Sequence, residues 1–263
     1  MSKDIRVIAE TDEILALDKP AGLIVHSDGR TRESSLAAWI AKEYPELASV
    51  GESWISPQGE HVPLAGVVHR LDRTTSGIIL VAKTQDAYTY LKNEFKERRV
   101  EKIYRAFVYG HMGAAEGKIV AEIARSSEPP KRWYARVCEE KDRRAAIIEW
   151  RLLKRLTDPA TGESVSYVEV QPKTGRTHQI RVHLASISHP IVADHIYAPD
   201  LHRESASDSK SQSFRAAERA PILGFQRPAL HAYSISLMLK GEKAAFVAPL
   251  PDDFKHARAE EVW

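Results

Sequence analysis

With 263 residues, an apolar share of 43% and a charged share of 28%, the chain can bury a substantial core and has the balance of a soluble globular protein. No apolar run approaches the roughly 18 residues of a membrane span, the charged start "MSKDIRVIAETDE" lacks the apolar segment of a secretory signal, and the single cysteine, Cys138, excludes an intramolecular disulfide and thiolate zinc sites. A cytoplasmic location is therefore expected. The net charge of +2 excludes an indiscriminate polycation, although arginines recurring in "HRLDR", "KERRVEKIYR", "PPKRWYAR" and "GRTHQIRVH" would make a polyanion site if the fold gathers them on one face.

In chain order, "IRVIAE" and "EILALDKP" flank the polar turn "TDE" and predict an opening hairpin. "SSLAAWIAKEYPE" places Leu36, Trp39 and Ile40 at helical spacing and stops before Pro45, which predicts a short helix. Residues 49–65 are rich in turn formers and predict a loop. In "GVVHRLDRTTSGIILVAK" a polar turn separates two apolar stretches that read as strands. "TQDAYTYLKNEFKERRV" begins with a Thr cap and an acid, carries Ala87, Leu91 and Phe95 on one stripe and ends in basic residues, so a second helix follows. "EKIYRAFVYG" alternates, with Tyr104, Ala106 and Val108 on one side. Further strands are expected at "GKIVAEIA", "RAAIIEWRLL" and "SVSYVEVQP". "KTGRTHQIRVHLASISHP" turns helical after Gly175, with Ile180, Leu184 and Ile187 as its apolar stripe and Arg181 about a quarter turn away. Residues 199–220 read as a polar surface insert, and "ALHAYSISLMLKGEKAAFVAPLP" as a closing hairpin. Strands outnumber helices and many are hairpin-connected. The expected fold is a single α+β domain over residues 1–263, built on a largely antiparallel mixed sheet.

Asp72 stands between Arg70 and Arg73 ahead of a Thr-Thr-Ser turn. Positive charge and hydroxyl donors there would hold it ionised, which suits a nucleophile or electrostatic stabiliser better than a general acid. Capping of the turn and an ion pair with Arg70 explain the same residues without catalysis, and His69 beside an apolar strand is as readily a packing residue as a base. In "GRTHQIRVH", Thr177 and His178 fall on the helical face of Arg181, whereas His178 and His183, five apart, face different ways and make a poor metal pair. An arginine beside a carboxylate can hold a phosphate or fix the carboxylate itself. Tyr104 is a strand aromatic, and if its face lines the same cleft as Asp72 it offers a surface on which a base can stack.

Taken together, "HRLDRTTSG", "KIYRA" and "KTGRTHQIRVHLASISHPIVAD" resemble, in order and spacing, the signature segments of the RluA-type pseudouridine synthases. "LDKPAGLIVH" and "ALHAYSISL" match the same family, so the resemblance runs from residue 14 to about 250. It implies isomerisation of uridine in structured RNA, ribosomal or transfer RNA, to pseudouridine. The enzyme would use no cofactor and no metal, would have no membrane partner, and would act as a monomer with a central RNA-binding cleft. The resemblance assigns Asp72 as the essential carboxylate, Tyr104 as the aromatic that packs on the target base and assists proton removal, and Arg181 as the partner that pairs with Asp72. Arg70 resembles the residue that enters the RNA stack when the uridine flips out. Thr75, Lys102, Arg176, His178 and Gln179 complete the candidate substrate-binding set. Asp72 could attack C1′, attack C6 of the uracil, or remove a ribose proton. Many relatives carry an N-terminal S4-type module for which these motifs begin too early, so RNA affinity is expected from the domain's own basic surface. Ser188 and Ala193 stand where the family commonly has glycine, which removes two flexible positions. Two other readings use the same residues: a non-catalytic RNA-binding protein that retains the fold, and a hydrolase employing His69 or His178 with Asp72.

Overall fold

A computed structural model describes residues 4–27, 33–55, 59, 61–125, 133–139, 145–198 and 221–257. The expected insert at 199–220 lies outside them. The chain divides into two compact units, Met1–Tyr104 with His231–Leu250, and Arg105–Leu230 with Pro251–Trp263. The secondary structure is α+β, with strands paired mostly antiparallel. Among the described residues no helix is long and apolar enough to cross a membrane.

In the first unit, β1 (Arg6–Glu10) and β2 (Ile14–Lys19) form the expected hairpin. Its turn is closed by the Thr11 hydroxyl oxygen, which accepts from the backbone N–H of Ile14 at 3.0 Å. β2 pairs antiparallel with β5 (Ser76–Ala82), every residue of which is buried. "SGIILVA" is the near-continuous apolar run that a strand covered on both faces requires. β5 in turn meets β11 (Leu230–Leu239) in parallel through His231 opposite Ser76 and Ala232 opposite Gly77, and β11 closes antiparallel on β12 (Glu242–Val247). Gly77 is required at this pairing: a Cβ there would clash with the carbonyl of Ala232. α1 (Leu36–Glu43) and α2 (Gln85–Lys96) begin at Ser35 and Thr84, whose side-chain oxygens accept from Ala38 N–H at 3.2 Å and Ala87 N–H at 3.1 Å. Leu36, Ile40 and Leu91 share one buried core with Leu15, Leu17 and Ile79.

Two expectations need correction here. Residues 49–65 are not all loop, because β3 (Ser53–Ile55) and β4 (His61–Pro63) pair antiparallel; three-residue strands are too short to show a period. "GVVH" is not a strand either. Only Val67 bridges Val81, and regular pairing starts at Ser76.

β6 (Glu101–Tyr109) runs across the boundary between the units, with Arg105–Tyr109 in the second. There β7 (Glu116–Arg125), β9 (Ala145–Thr157) and β10 (Ser164–Pro172) pair antiparallel in the order β7-β9-β10, beside β6. β8 (Trp133–Val137), unexpected from the sequence, adds to β7. α3 (Gln179–Ser186) packs on these strands, and α4 (Asp252–His256) places Phe254 5.4 Å from Phe107, itself stacked at 4.6 Å on Tyr167.

His183 of α3 is fully buried, and neither ring nitrogen completes a hydrogen bond among the described residues. Burial pushes its pKa down to about 4, with the Ala121 carbonyl pulling the other way. The unfolded chain takes this proton near pH 6.5. Between about 6.5 and about 4 the unfolded state therefore binds more protons, and stability falls as pH falls through that window. His183→Leu replaces an unsatisfied polar ring with an apolar side chain. It is expected to melt no lower than the parent near neutral pH and to flatten the decline in melting temperature toward about pH 4.5; an equally steep decline in both proteins would contradict this.

Candidate active site

Asp72 lies in the first unit, half-buried, at the start of a turn in which Thr75 N–H donates to the Asp72 carbonyl at 3.1 Å. The turn is held from beneath by Lys19, whose side chain is fully buried. Its Nζ donates to the carbonyls of Pro20 and Leu23, both at 2.9 Å, and of Arg73 at 3.4 Å, while Gly22 N–H reaches the same Arg73 carbonyl at 2.6 Å. A buried ammonium is tolerated only when its hydrogens are accepted, so Lys19 stitches the "PAGL" loop to the segment that carries Asp72. No role for Lys19 was read from the sequence. The available signal was a lysine ending a strand whose first four residues are apolar.

His69 is also a support. Its Nε2 accepts from Leu80 N–H at 2.9 Å, its ring stacks on Phe95 at 4.6 Å, and burial, followed by the charge of Lys102, pushes its pKa down to about 3. A ring nitrogen already committed to a backbone N–H cannot serve as a base. That removes His69 from the hydrolase reading.

Tyr104 of β6 neighbours Asp72. Burial raises the phenol pKa above its ordinary value, and the Asp72 carboxylate raises it further. Two residues back on the same strand face, Lys102 is held below the usual lysine range by burial and by Arg98. Arg70 is exposed and, after burial, is the second cause depressing His26. Thr75, expected to touch substrate, is only 2% exposed. Asp72, Tyr104, Lys102, Arg70 and Thr75 thus belong to the first unit.

Arg176, His178, Gln179 and Arg181 belong to the second. Gln179 is buried, and its amide holds the preceding loop: Oε1 accepts from the Thr174 hydroxyl and from Arg176 N–H, both at 2.9 Å, and Nε2 donates to the Ile147 carbonyl at 3.0 Å. Arg176 itself is exposed. The shared helical face expected for Thr177, His178 and Arg181 does not form, because His178 has the left-handed φ of 55° and caps α3 rather than joining it. Tyr197 brings His178 and Arg181 together instead. Its hydroxyl lies 2.7 Å from His178 Nδ1, and its ring sits 5.0 Å from the Arg181 guanidinium carbon.

Arg181 and Asp194 form a bidentate ion pair, Nε to Oδ2 at 2.6 Å and Nη2 to Oδ1 at 2.8 Å, with side-chain exposures of 4% and 0%. Asp194 Oδ1 also accepts from the backbone N–H groups of Ile196 at 3.0 Å and Tyr197 at 3.2 Å. The loop leading to it keeps its left-handed positions without glycine, since Ser188 has φ 63° and Ala193 φ 58°. Neither Asp194 nor Tyr197 was singled out from the sequence; the pattern "ADHIY" showed an acid, but nothing in spacing tied it to Arg181.

An RNA pseudouridylate synthase family model matches residues 13–186, and the chain belongs to that family. It is 34% identical over 252 residues to a ribosomal large subunit pseudouridine synthase D of Neisseria meningitidis, covering 95% of this chain and 59% of the relative. It is 33% identical over 254 residues to the protein of that name from Pseudomonas aeruginosa, covering 95% and 70%. The chain thus spans about three fifths of the length of the Neisseria relative. Among solved structures, human RNA Pseudouridylate Synthase Domain Containing 4 aligns at a TM-score of 0.66 and 22% identity, covering 96% of this chain and 91% of that one. Human RNA Pseudouridylate Synthase Domain Containing 1 aligns at 0.64 and 23%, covering 95% and 84%. Both share the fold.

Asp194→Ala leaves a guanidinium buried without its partner, at a cost of about 3–5 kcal/mol, and should lower the denaturation midpoint accordingly. Ala193→Gly should act oppositely, by about 1 kcal/mol, because it relieves a left-handed alanine. Chemical denaturation of both variants checks the pair, and a destabilised Ala193→Gly would show that the backbone there is not strained.

Proposed function

We propose that the chain is an RNA pseudouridine synthase, with ribosomal RNA of the large subunit as the substrate suggested by the names of its relatives and transfer RNA as the second class to test. The observation that carries this reading is Asp72 beside Tyr104 in a site whose nearby histidine is locked away from catalysis. In the reaction the C1′–N1 bond of the target uridine breaks, the uracil turns, and a C1′–C5 bond forms. The C5 proton leaves and N1 gains one, so atoms and electrons balance with the nucleoside alone. A stacked nucleotide hides its glycosidic bond, and the base therefore has to be flipped at an unstacking cost of a few kcal/mol. Exposed Arg70 suits the space the base vacates.

Asp72 is assigned as the carboxylate that acts on the nucleoside. Burial and the Asp72 charge together hold the Tyr104 phenol protonated. A carboxylate that forms a bond to the nucleoside loses its charge, and with it one of those two causes. That loss makes the Tyr104 phenol easier to ionise, and once it has released its own proton to solvent the phenolate takes the C5 proton while its ring packs on the base. Arg181, pinned by Asp194, keeps the catalytic assignment that the resemblance of "GRTHQIR" gives it. Lys102 and Arg176 supply positive charge for the RNA backbone.

Tritium release from RNA labelled at uridine C5 tests the reading. The parent protein should release tritium from large-subunit ribosomal RNA transcripts. Asp72→Asn should fold and bind RNA with release reduced at least about a thousandfold, the scale of losing a covalent or electrostatic catalyst. Release undiminished in Asp72→Asn would remove Asp72 from the mechanism. RNA binding by a parent protein that releases nothing from either RNA class would favour the binding-only reading.

A further inference from the structure

In the second unit a groove of about 800 Å³ opens between residues 122–125 of β7, Trp133 of β8 and residues 175–177 ahead of α3. Along β7 the face that carries buried Ile119 and Ala121 continues through Ile123 to Arg125. Arg125 stands directly opposite Trp133 in the antiparallel register, so a guanidinium and an indole take over where the apolar face ends. Arg176 is exposed on another wall. The loop backbone at Gly175 is open, since a Cβ there would meet nothing within 4 Å.

The two arginines differ from six of the thirteen described arginines. Arg73, Arg99, Arg105, Arg151, Arg181 and Arg227 each hold a carboxylate. Among the described residues, no ion pair or hydrogen bond engages the side chain of Arg125 or Arg176. Glu122 is the one acid among the described residues that line the groove, and it has an interaction of its own. Two uncommitted guanidinium groups beside an indole, in a space within the roughly 300–1,000 Å³ of ligand sites, match a phosphate backbone with one base stacked on the ring. A duplex does not present a base face in this way.

We infer that this groove binds a single-stranded RNA segment flanking the target, with one base stacked on Trp133 and adjacent phosphates on Arg125 and Arg176. The inference rests on the proposed RNA substrate but not on turnover. Fluorescence anisotropy of the full chain with a labelled oligouridylate decamer, and with a fully paired RNA hairpin, tests it. Trp133→Ala should weaken decamer binding by about tenfold, within the range for one base–aromatic stack, and change hairpin binding less than about twofold. Trp133→Phe, which keeps a ring, should fall between the two and serves if the alanine variant melts early. Arg125→Ala should lower the slope of log affinity against log salt by about 0.7, the share of one single-strand phosphate. Decamer binding within about twofold of the parent in both Trp133→Phe and Arg125→Ala would overturn the groove, and so would equal competition by a polyglutamate decamer. Binding is read without catalysis, so loss of the synthase assignment would leave a positive result standing, and an active enzyme with unaltered decamer binding in the variants would overturn the groove alone.

Discussion

A guanidinium and a carboxylate that are both cut off from water can remain charged only while each holds the other, and Arg181 and Asp194 are in that position. Around them the second unit is arranged with little freedom. Asp194 spends its remaining acceptor capacity on the backbone of Ile196 and Tyr197, which fixes the turn, and the turn delivers the Tyr197 ring to the guanidinium and its hydroxyl to His178. His178 then adopts a left-handed backbone and starts α3, the helix that carries Arg181 itself. Each member is held by the next, so the arginine has one orientation before any ligand arrives.

The first unit solves the same problem with backbone groups rather than a counter-charge. Lys19 is buried against carbonyls, and His69 is committed to the N–H of Leu80. Both are polar groups in apolar surroundings that would be costly if left unmet, and both are met by atoms that the strands and the Asp72 turn already present. Beside them stand the proposed reactive groups, half-buried Asp72 and the phenol of Tyr104, with Lys102 and Arg70. Rigid support beneath a few reactive groups is the arrangement that preorganised catalysis needs.

The replacement of glycine at Ser188 and Ala193 shows how far local preference yields to such constraints. Read from propensity, these positions argue for a changed loop. The left-handed backbone is kept at both, because the segment between them runs beside β6, with Tyr109 N–H donating to Pro190 and Val192 N–H to Phe107 at 2.9 Å, and because Asp194 has to reach Arg181. Leaving one of these buried charges unpaired would cost about 3–5 kcal/mol, more than the roughly 1 kcal/mol of backbone strain at each site.

The order of elements was legible without coordinates wherever a period is long enough to register: the β1–β2 hairpin, the capped helices α1 and α2, β5 as a buried apolar run and β6 by alternation. β3, β4 and β8 were not, since three to five residues set among prolines, glycines and arginines carry no period. Asp72, Tyr104 and Arg181 could be named as candidates from the family resemblance because those residues sit inside contiguous motifs. The supports could not. Lys19 touches Arg73 across 54 positions and Ser76 meets His231 across 155, and whether Gln179 faces RNA or Ile147 is decided by the packing of α3. By itself the sequence determined the family and the class of secondary structure and named candidate reactive residues, all of which are written in short-range patterns. Only the tertiary structure decided which polar residues support and which are left to react, because burial and partnership depend on neighbours that lie far apart along the chain.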